Sequence, residues 1–427
     1  MEKKIQVYTS DLKIGMYVAD LDRPWVDTPF LFQGFSLTGV EEINDLSQFC
    51  EYVFVDVELS TKGLMEHLLS YRFTVASKKK SKKRPPKRKN SVQFSEKEFR
   101  QALMDSFRVY KDARGWIDTM LDDCRLGKSV DTTKARELVV RLADEVITNP
   151  DALVWLTHLR SRDEYTATHC MNVCILALTF GRALDLDDKQ LHKLGMGALL
   201  HDIGKMRVPD EILNKPGRFT EKEFDIIKMH PSIGHTMLMN DNELDMESLH
   251  IVLHHHERLD GGGYPSGMSE LEIPLLTRIA SIVDVYDAIT SDRCYHDGVA
   301  PAQALENLFA WAKGNFDVSL LEKFIKCLGI YPIGTVVRLN TQDVGLVVAT
   351  DVGHRIKPIV LLTTSADGKP YLPRRLLNLS SAVWEETDSP VSIVGVLEPG
   401  SLGIELKTIL QEELNYSLNT VSSIANC

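Results

Sequence analysis

The chain has 427 residues, 44% of them hydrophobic and 26% charged, and a formal net charge of -11 at pH 7. That length implies two to three domains at about 150 residues each. The acidic balance excludes a protein that coats nucleic acid or anionic membrane, since both demand positive potential spread over a surface. No stretch approaches the ~18 apolar residues of a membrane helix, and MEKKIQVYTSDLKIGMYV has no apolar run ahead of its charges, so a cytoplasmic protein without a transmembrane segment is expected. The seven cysteines, at 50, 124, 170, 174, 294, 327 and 427, contain no CxxC pair, which fits a reducing compartment.

Residues 1–75 mix short β-like runs, Lys4 to Tyr8, Met16 to Ala19 and Tyr52 to Val57, with turn residues, and read as a small β-rich or α/β regulatory domain. Residues 76–94 contain KKKSKKRPPKRK, nine basic residues in twelve. Such a run repels itself and cannot bury a core, so it is a flexible linker, with a tether to an anionic surface as the alternative. From 95 to 148 apolar residues recur at spacings of three and four (Phe99, Leu103, Phe107, Tyr110; then Leu138, Val139, Leu142, Val146), giving a helical connector. Residues 149–332 form the longest helical region, broken by loops at Lys205 to Phe219 and Leu259 to Pro274. Alternation at Thr335 to Leu339, Val344 to Ala349 and Ile359 to Thr363 predicts a β-rich extension over 333–386. An acidic tail, 387–427, carries one helix around Leu402 to Leu414. The fold class is mainly α.

The helical region concentrates metal-ligand residue types: His169, His201, Asp202, His230, His255, His256 and Asp284. Seven donors exceed the three or four that one tetrahedral zinc accepts, so at least two ions are the economical reading, with Asp202 able to offer its two oxygens to different ions. Gly204 and Pro209 stop the helix behind His201 and Asp202, and Gly261 to Gly263 end the one behind His255 and His256. Adjacent residues on a helix diverge by about 100°, so two neighbours serve one cluster best at a helix end. His254 is set aside as the extra member of the triplet. Asp284 lies in the apolar stripe of RIASIVDVYDAIT, where a carboxylate is costly to bury unless paired or metal-bound; Asp287 is one turn on. Cys170 and Cys174 read as small core residues rather than thiolate ligands.

In this order and spacing, HDIGK (201–205), VPDEILNKPG (208–217) and HHERLDGGGYP (255–265) resemble the HD-GYP domains of bacterial signalling proteins, a branch of the HD metal-dependent phosphohydrolases. The likeness spans roughly residues 145 to 335 and implies an HD-type helical bundle that holds iron or manganese. It implies hydrolysis of cyclic di-GMP to pGpG or GMP, with two metals roughly 3.5 to 4 Å apart sharing a hydroxide nucleophile. By the same likeness Lys205, Tyr264 and Arg293 contact substrate, and Asp202, Lys205 and Asp287 are catalytic, the last two managing the leaving-group proton. The third metal of some members depends on a Glu one turn before the first His; here that position is Tyr165, with Glu164 one residue off, so a binuclear site is expected. The usual RPYR-like run reads Arg293-Cys294-Tyr295-His296, a departure that touches substrate contacts and leaves the metal ligands intact. DLKIGMYVADLDRPW is similar to a domain of unknown function often placed ahead of HD-GYP domains. The alternative is a catalytically weak adaptor that binds diguanylate-cyclase-type turnover proteins; a complete metal site, which an adaptor does not need, favours the enzyme.

Overall fold

The computed structural model describes residues 4–23, 34–57, 59–61, 95–159, 165–215, 217–241, 244–291, 298–350, 356–381, 390–398 and 400–424. The chain divides into two compact units, residues 1–93 with 352–356, and residues 94–351 with 357–427.

Among its described residues the first unit is an antiparallel sheet with one α-helix. Strands β1 (Lys4–Tyr8), β2 (Tyr17–Leu21), β3 (Phe35–Ser36) and β4 (Tyr52–Asp56) lie in the order β1-β4-β2-β3, and α1 (Val40–Phe49) precedes β4. Period-two alternation sends Ile5 and Val7 inward opposite Val55 and Val53. Leu46 of α1 joins this core with Met16, Val18 and Leu37. The basic tract of residues 78–89 lies outside the described residues.

The second unit opens with α2 (Glu96–Arg125), a 30-residue helix about 45 Å long at 1.5 Å per residue. Ser95 caps it by accepting from the Glu98 amide while the Glu98 carboxylate takes the Ser95 amide. Then come α3 (Thr132–Thr148), α4 (Pro150–Leu156), α5 (Tyr165–Ala183) and α6 (Asp188–Leu200). The predicted connector helices pack directly on this bundle: the rings of Phe99 and Trp155 stand 5.5 Å apart, and the Tyr110 hydroxyl donates to the Leu159 carbonyl. A short 3-10 turn, Ile203–Arg207, leads to α7 (Asp210–Leu213), α8 (Glu221–Ile227), α9 (His230–Leu238) and α10 (Met246–His254). Three longer helices, α11 (Leu275–Thr290), α12 (Pro301–Asn315) and α13 (Val318–Leu328), complete the bundle.

Strands β5 (Val336–Leu339), β6 (Val344–Ala349), β7 (Ile359–Thr364), β8 (Pro370–Asn378) and β9 (Ile393–Leu397) form an antiparallel sheet in the order β8-β7-β6-β5-β9. Every residue of β6 is buried, which is why its sequence VGLVVA lacks polar alternation. The segment predicted as an acidic tail thus supplies an edge strand, followed by α14 (Leu406–Ile424), which starts four residues later and runs ten residues further than the sequence indicated. Glu413 of α14, 3% exposed, sits 3.5 Å from Arg100 Nε of α2 and 3.4 Å from Arg374 Nη1 of β8. Among the described residues no helix is long and apolar enough to cross a membrane.

Candidate metal centre

Five elements supply the predicted ligands. Helix α5 carries the largely apolar run MNVCILAL and is buried at every residue from Ala167 to Leu178, so His169 is only 3% exposed. Helix α6 stops at Leu200 and the chain turns into the 3-10 segment, leaving His201 and Asp202 at the junction. Gly204 is required there by close approach: a Cβ would stand 2.0 Å from the His230 carbonyl oxygen and 2.6 Å from the Gly234 nitrogen. That backbone-on-backbone contact brings the HDIGK turn against α9, whose first residue is His230. His255 and His256 follow the last residue of α10, and Asp284 and Asp287 lie one turn apart on α11.

All seven predicted ligands converge. His169, His201 and Asp202 form one set of donors, and Asp202, His230, His255 and His256 another; within each set the ligand atoms lie within 4.8 Å of one another. Asp202 belongs to both. Its Oδ2 is 3.4 Å from His201 Nε2 and 3.6 Å from His169 Nε2, while its Oδ1 is 3.2 Å from His230 Nε2 and 3.9 Å from His255 Nε2. Asp284 Oδ1 is 3.0 Å from His169 Nε2, and Oδ2 is 3.8 Å from His256 Nδ1.

The outer edges of the imidazoles decide what the inner edges can do. The Nδ1 atoms of His201, His230 and His255 donate to the carbonyls of Ala198, Ile227 and Val252 at 2.7, 2.7 and 3.0 Å. His169 Nδ1 donates to Asp287 Oδ2 at 2.7 Å. Carbonyls and carboxylates only accept, so each of these Nδ1 atoms carries a proton, and in the neutral form of each ring the Nε2 lone pair points inward. Those lone pairs face each other at 3.3 Å between His169 and His201, and again at 3.3 Å between His230 and His255. Such facing acceptors repel unless a cation stands among them.

On the His169 side a proton can serve. Burial opposes protonation, but hydrogen bonds to Asp284 and Asp287 outweigh it and raise the pKa to about 9. The opposite side is different. Burial, then the neighbouring imidazoles, drives His255 well below the usual histidine range, and burial pushes His256 down to about 3 despite Asp284. Burial alone would raise the Asp202 carboxyl, yet the Lys205 ammonium, with Nζ 2.6 Å from Oδ2, and the surrounding imidazoles hold it well below the carboxylate range. Asp202 Oδ1 is buried with no hydrogen-bond donor. On that side the depressed His255 and His256 imidazoles, the ionised Asp202 and its orphaned buried oxygen make a donor set for a divalent metal ion, and imidazole with carboxylate suits iron or manganese.

Asp287 stands behind this inner ring. It meets the outer edge of His169, accepts from Asn172 Nδ2 at 3.1 Å on Oδ1 and from Ser291 Oγ at 3.1 Å on Oδ2, and is fully buried. Lys205, which sequence reasoning paired with it, bonds Asp202. Tyr264 lies on His256 with ring centroids 4.7 Å apart. His254 stacks on His250 at 4.3 Å, outside the convergent sets. Cys170 and Cys174 are buried, and burial raises both thiols, Cys174 to about 12, as expected of core residues. Glu164 and the run Arg293-Cys294-Tyr295-His296 lie outside the described residues. Sequence reasoning missed Asn172 and Ser291. The available signal was Asn172 three residues after His169, on the same helical face.

Residues 151–320 match the family model described as HD domain, and residues 3–135 match that of a domain of unknown function. The chain is 36% identical over 385 residues to a cyclic di-GMP phosphodiesterase of Pseudomonas aeruginosa, covering 90% of each protein. It is 36% identical over 166 residues to the cyclic di-GMP phosphodiesterase response regulator RpfG of Xanthomonas campestris, covering 39% of this chain and 44% of that one. It is 31% identical over 193 residues to a 3'3'-cGAMP-specific phosphodiesterase of Vibrio cholerae, covering 45% of this chain and 34% of that one.

Proposed function

The chain belongs to the HD-GYP family of HD-domain cyclic di-GMP phosphodiesterases, and from that premise we propose that it hydrolyses cyclic di-GMP to pGpG or GMP in the cytoplasm, with two divalent ions, iron or manganese. One observation carries the reading: Asp202 turns one oxygen to each pair of facing imidazoles. His169, His201, Asp202 and Asp284 would hold one ion; Asp202, His230, His255 and His256 would hold the other. When bound, the ions supply Lewis acidity that activates water and neutralises the phosphodiester.

The protein's own groups do the rest. Asp202 spaces the two halves of the site. Lys205, with a side chain 19% exposed, offers its ammonium to a phosphate oxygen and to the departing 3'-oxygen as the P–O3' bond breaks. Tyr264 and Arg293 orient the nucleotide. Asp287 acts through His169, fixing its tautomer and so the direction of its Nε2 lone pair. The complete ligand set favours the enzyme over the adaptor. Residues 1–75 are assigned to regulation, with residues 76–94 as the linker and the catalytic domain over 149–332.

Anaerobically purified protein incubated with cyclic di-GMP and Fe or Mn should yield pGpG or GMP by chromatography. Asp202→Ala should abolish turnover and lower the bound metal. No product from the native protein across metals and redox conditions, or full activity in Asp202→Ala, would overturn the reading.

A further inference from the structure

Glu257 follows directly on the proposed ligands His255 and His256, and its buried carboxylate belongs to none of the convergent donor sets. Its side chain is wholly excluded from solvent. Burying an ionised carboxylate is costly unless hydrogen bonds satisfy it. The donors that do so are backbone amides of the loop that follows Tyr264: Ser266 N–H donates to Oε1 at 2.7 Å and Met268 N–H to Oε2 at 3.0 Å. His254 Nδ1, 3.5 Å from Oε1, makes no hydrogen bond there.

Two further contacts bring the same loop onto the end of α10. A Cβ at Gly263 would stand 2.4 Å from the Arg258 nitrogen and 2.5 Å from the Glu257 Cα, so the loop crosses this backbone at a distance only glycine permits. Tyr264 N–H donates to the His256 carbonyl at 3.2 Å. Tyr264 is thus held from both sides, by the His256 carbonyl before it and the Glu257 carboxylate after it. Its ring rests on the ligand His256 with the planes tilted by 34°.

We propose that Glu257 is a positioning residue for the substrate: its carboxylate clasps the loop 264–268 and so fixes the Tyr264 ring beside the metal centre, separating nucleotide binding from metal binding. This rests on the cyclic dinucleotide reading above. Cyclic di-GMP needs the loop because it extends beyond the reacting phosphate. A small aryl phosphodiester reaches the ions without it.

The test uses the full-length, metal-loaded protein and two variants. Glu257→Gln keeps the volume but turns an amide NH2 toward one of the two N–H donors, and Glu257→Ala removes both acceptors. Amide hydrogen exchange should accelerate at least ~10-fold at Ser266 or Met268 in the first variant and at both in the second, as loss of a charge-assisted hydrogen bond requires. Metal content should match the native protein. The KM for cyclic di-GMP should rise at least ~10-fold, the factor that loss of one such bond conveys, while kcat and turnover of bis(p-nitrophenyl) phosphate hold. Unchanged exchange at both amides overturns the clasp, whether or not the native protein turns over cyclic di-GMP. Parallel loss of metal, aryl phosphodiester turnover and cyclic di-GMP turnover overturns the positioning role. An inert native protein counts against the cyclic di-GMP reading and leaves exchange to decide the clasp.

Discussion

Replacing Asp287 with Asn separates its two conceivable roles. Among the described residues the carboxylate accepts from His169 Nδ1 at 2.7 Å, Asn172 Nδ2 at 3.1 Å and Ser291 Oγ at 3.1 Å. An amide of the same shape must turn its NH2 toward at least one of them. Facing His169, it sets donor against donor and disfavours the Nδ1–H tautomer. Facing Asn172, it asks that side chain to flip, which would turn the Asn172 oxygen against the Thr157 carbonyl that now accepts from Nδ2 at 3.0 Å. Loss of such an outer partner of a metal-bound histidine typically costs 10–100-fold in metal affinity or activity, or about 1.4–2.7 kcal/mol. Asp287→Asn should therefore need 10–100-fold more free metal for half occupancy, measured by chelator competition, and should recover much of its turnover when metal saturates. Native metal affinity in this variant would refute the action through His169. If turnover then fell with an altered pH profile, the proton-handling partnership with Lys205 would be the better account.

Gly204→Ala should destabilise the fold by about 3 kcal/mol or more, because the new methyl meets backbone rather than a movable side chain; an unchanged melting temperature would refute the close crossing. Metal-stripped protein should lose stability as pH falls from 6.5 toward 3. His256 is held at about 3 when folded but near 6.5 when unfolded, so the unfolded chain binds more protons throughout that window. His169, raised to about 9, acts above it, contributing stability that is complete below 6.5 and lost as pH rises toward 9. Equal urea midpoints at pH 6.5 and 4.5 would contradict this assignment. Glu413→Ala would remove the buried carboxylate that Arg100 and Arg374 share and leave them to Glu96 and Glu412, a loss of about 1–3 kcal/mol that should expose α14 to proteolysis before the helical bundle.

The convergent donor cluster was legible because metal chemistry restricts residue types and helix ends restrict where they stand. HDIGK and HHERLDGGGYP each combine the donors with the glycines that stop a helix, so position and chemistry were read together. His169 and Asp284 were legible only by association, since a lone His or Asp on an apolar stripe is as readily a hydrogen-bonded core residue as a ligand. Asn172, Ser291 and Glu257 escaped because their partners are another residue's outer edge or a backbone amide several positions away, and neither leaves a periodic trace. Strands β1 and β6 matched their predicted limits because flanking turn residues bound the apolar or alternating run. The extent of α14 and the edge strand β9 did not follow from pattern, because α14 is held partly by Arg374 and Arg100, contributed by β8 and α2.

The arrangement that makes the centre legible also makes it costly without metal. Five imidazoles and two buried carboxylates converge from five elements, α5, the α6 junction, α9, the end of α10 and α11, and four of the imidazoles, those of His169, His201, His230 and His255, are directed inward by a bond to the outer edge. Protonation relieves the His169 side, whereas burial denies that relief to His255 and His256. A cation is therefore most needed beside Asp202 Oδ1, a buried carboxylate oxygen without a donor that faces the imidazoles of His230 and His255. Because any species that binds only the folded state stabilises it in proportion to RT ln(1 + [L]/Kd), occupancy of the His230, His255 and His256 side should dominate the metal dependence of stability. The His169 side, which a proton can partly satisfy, should contribute less.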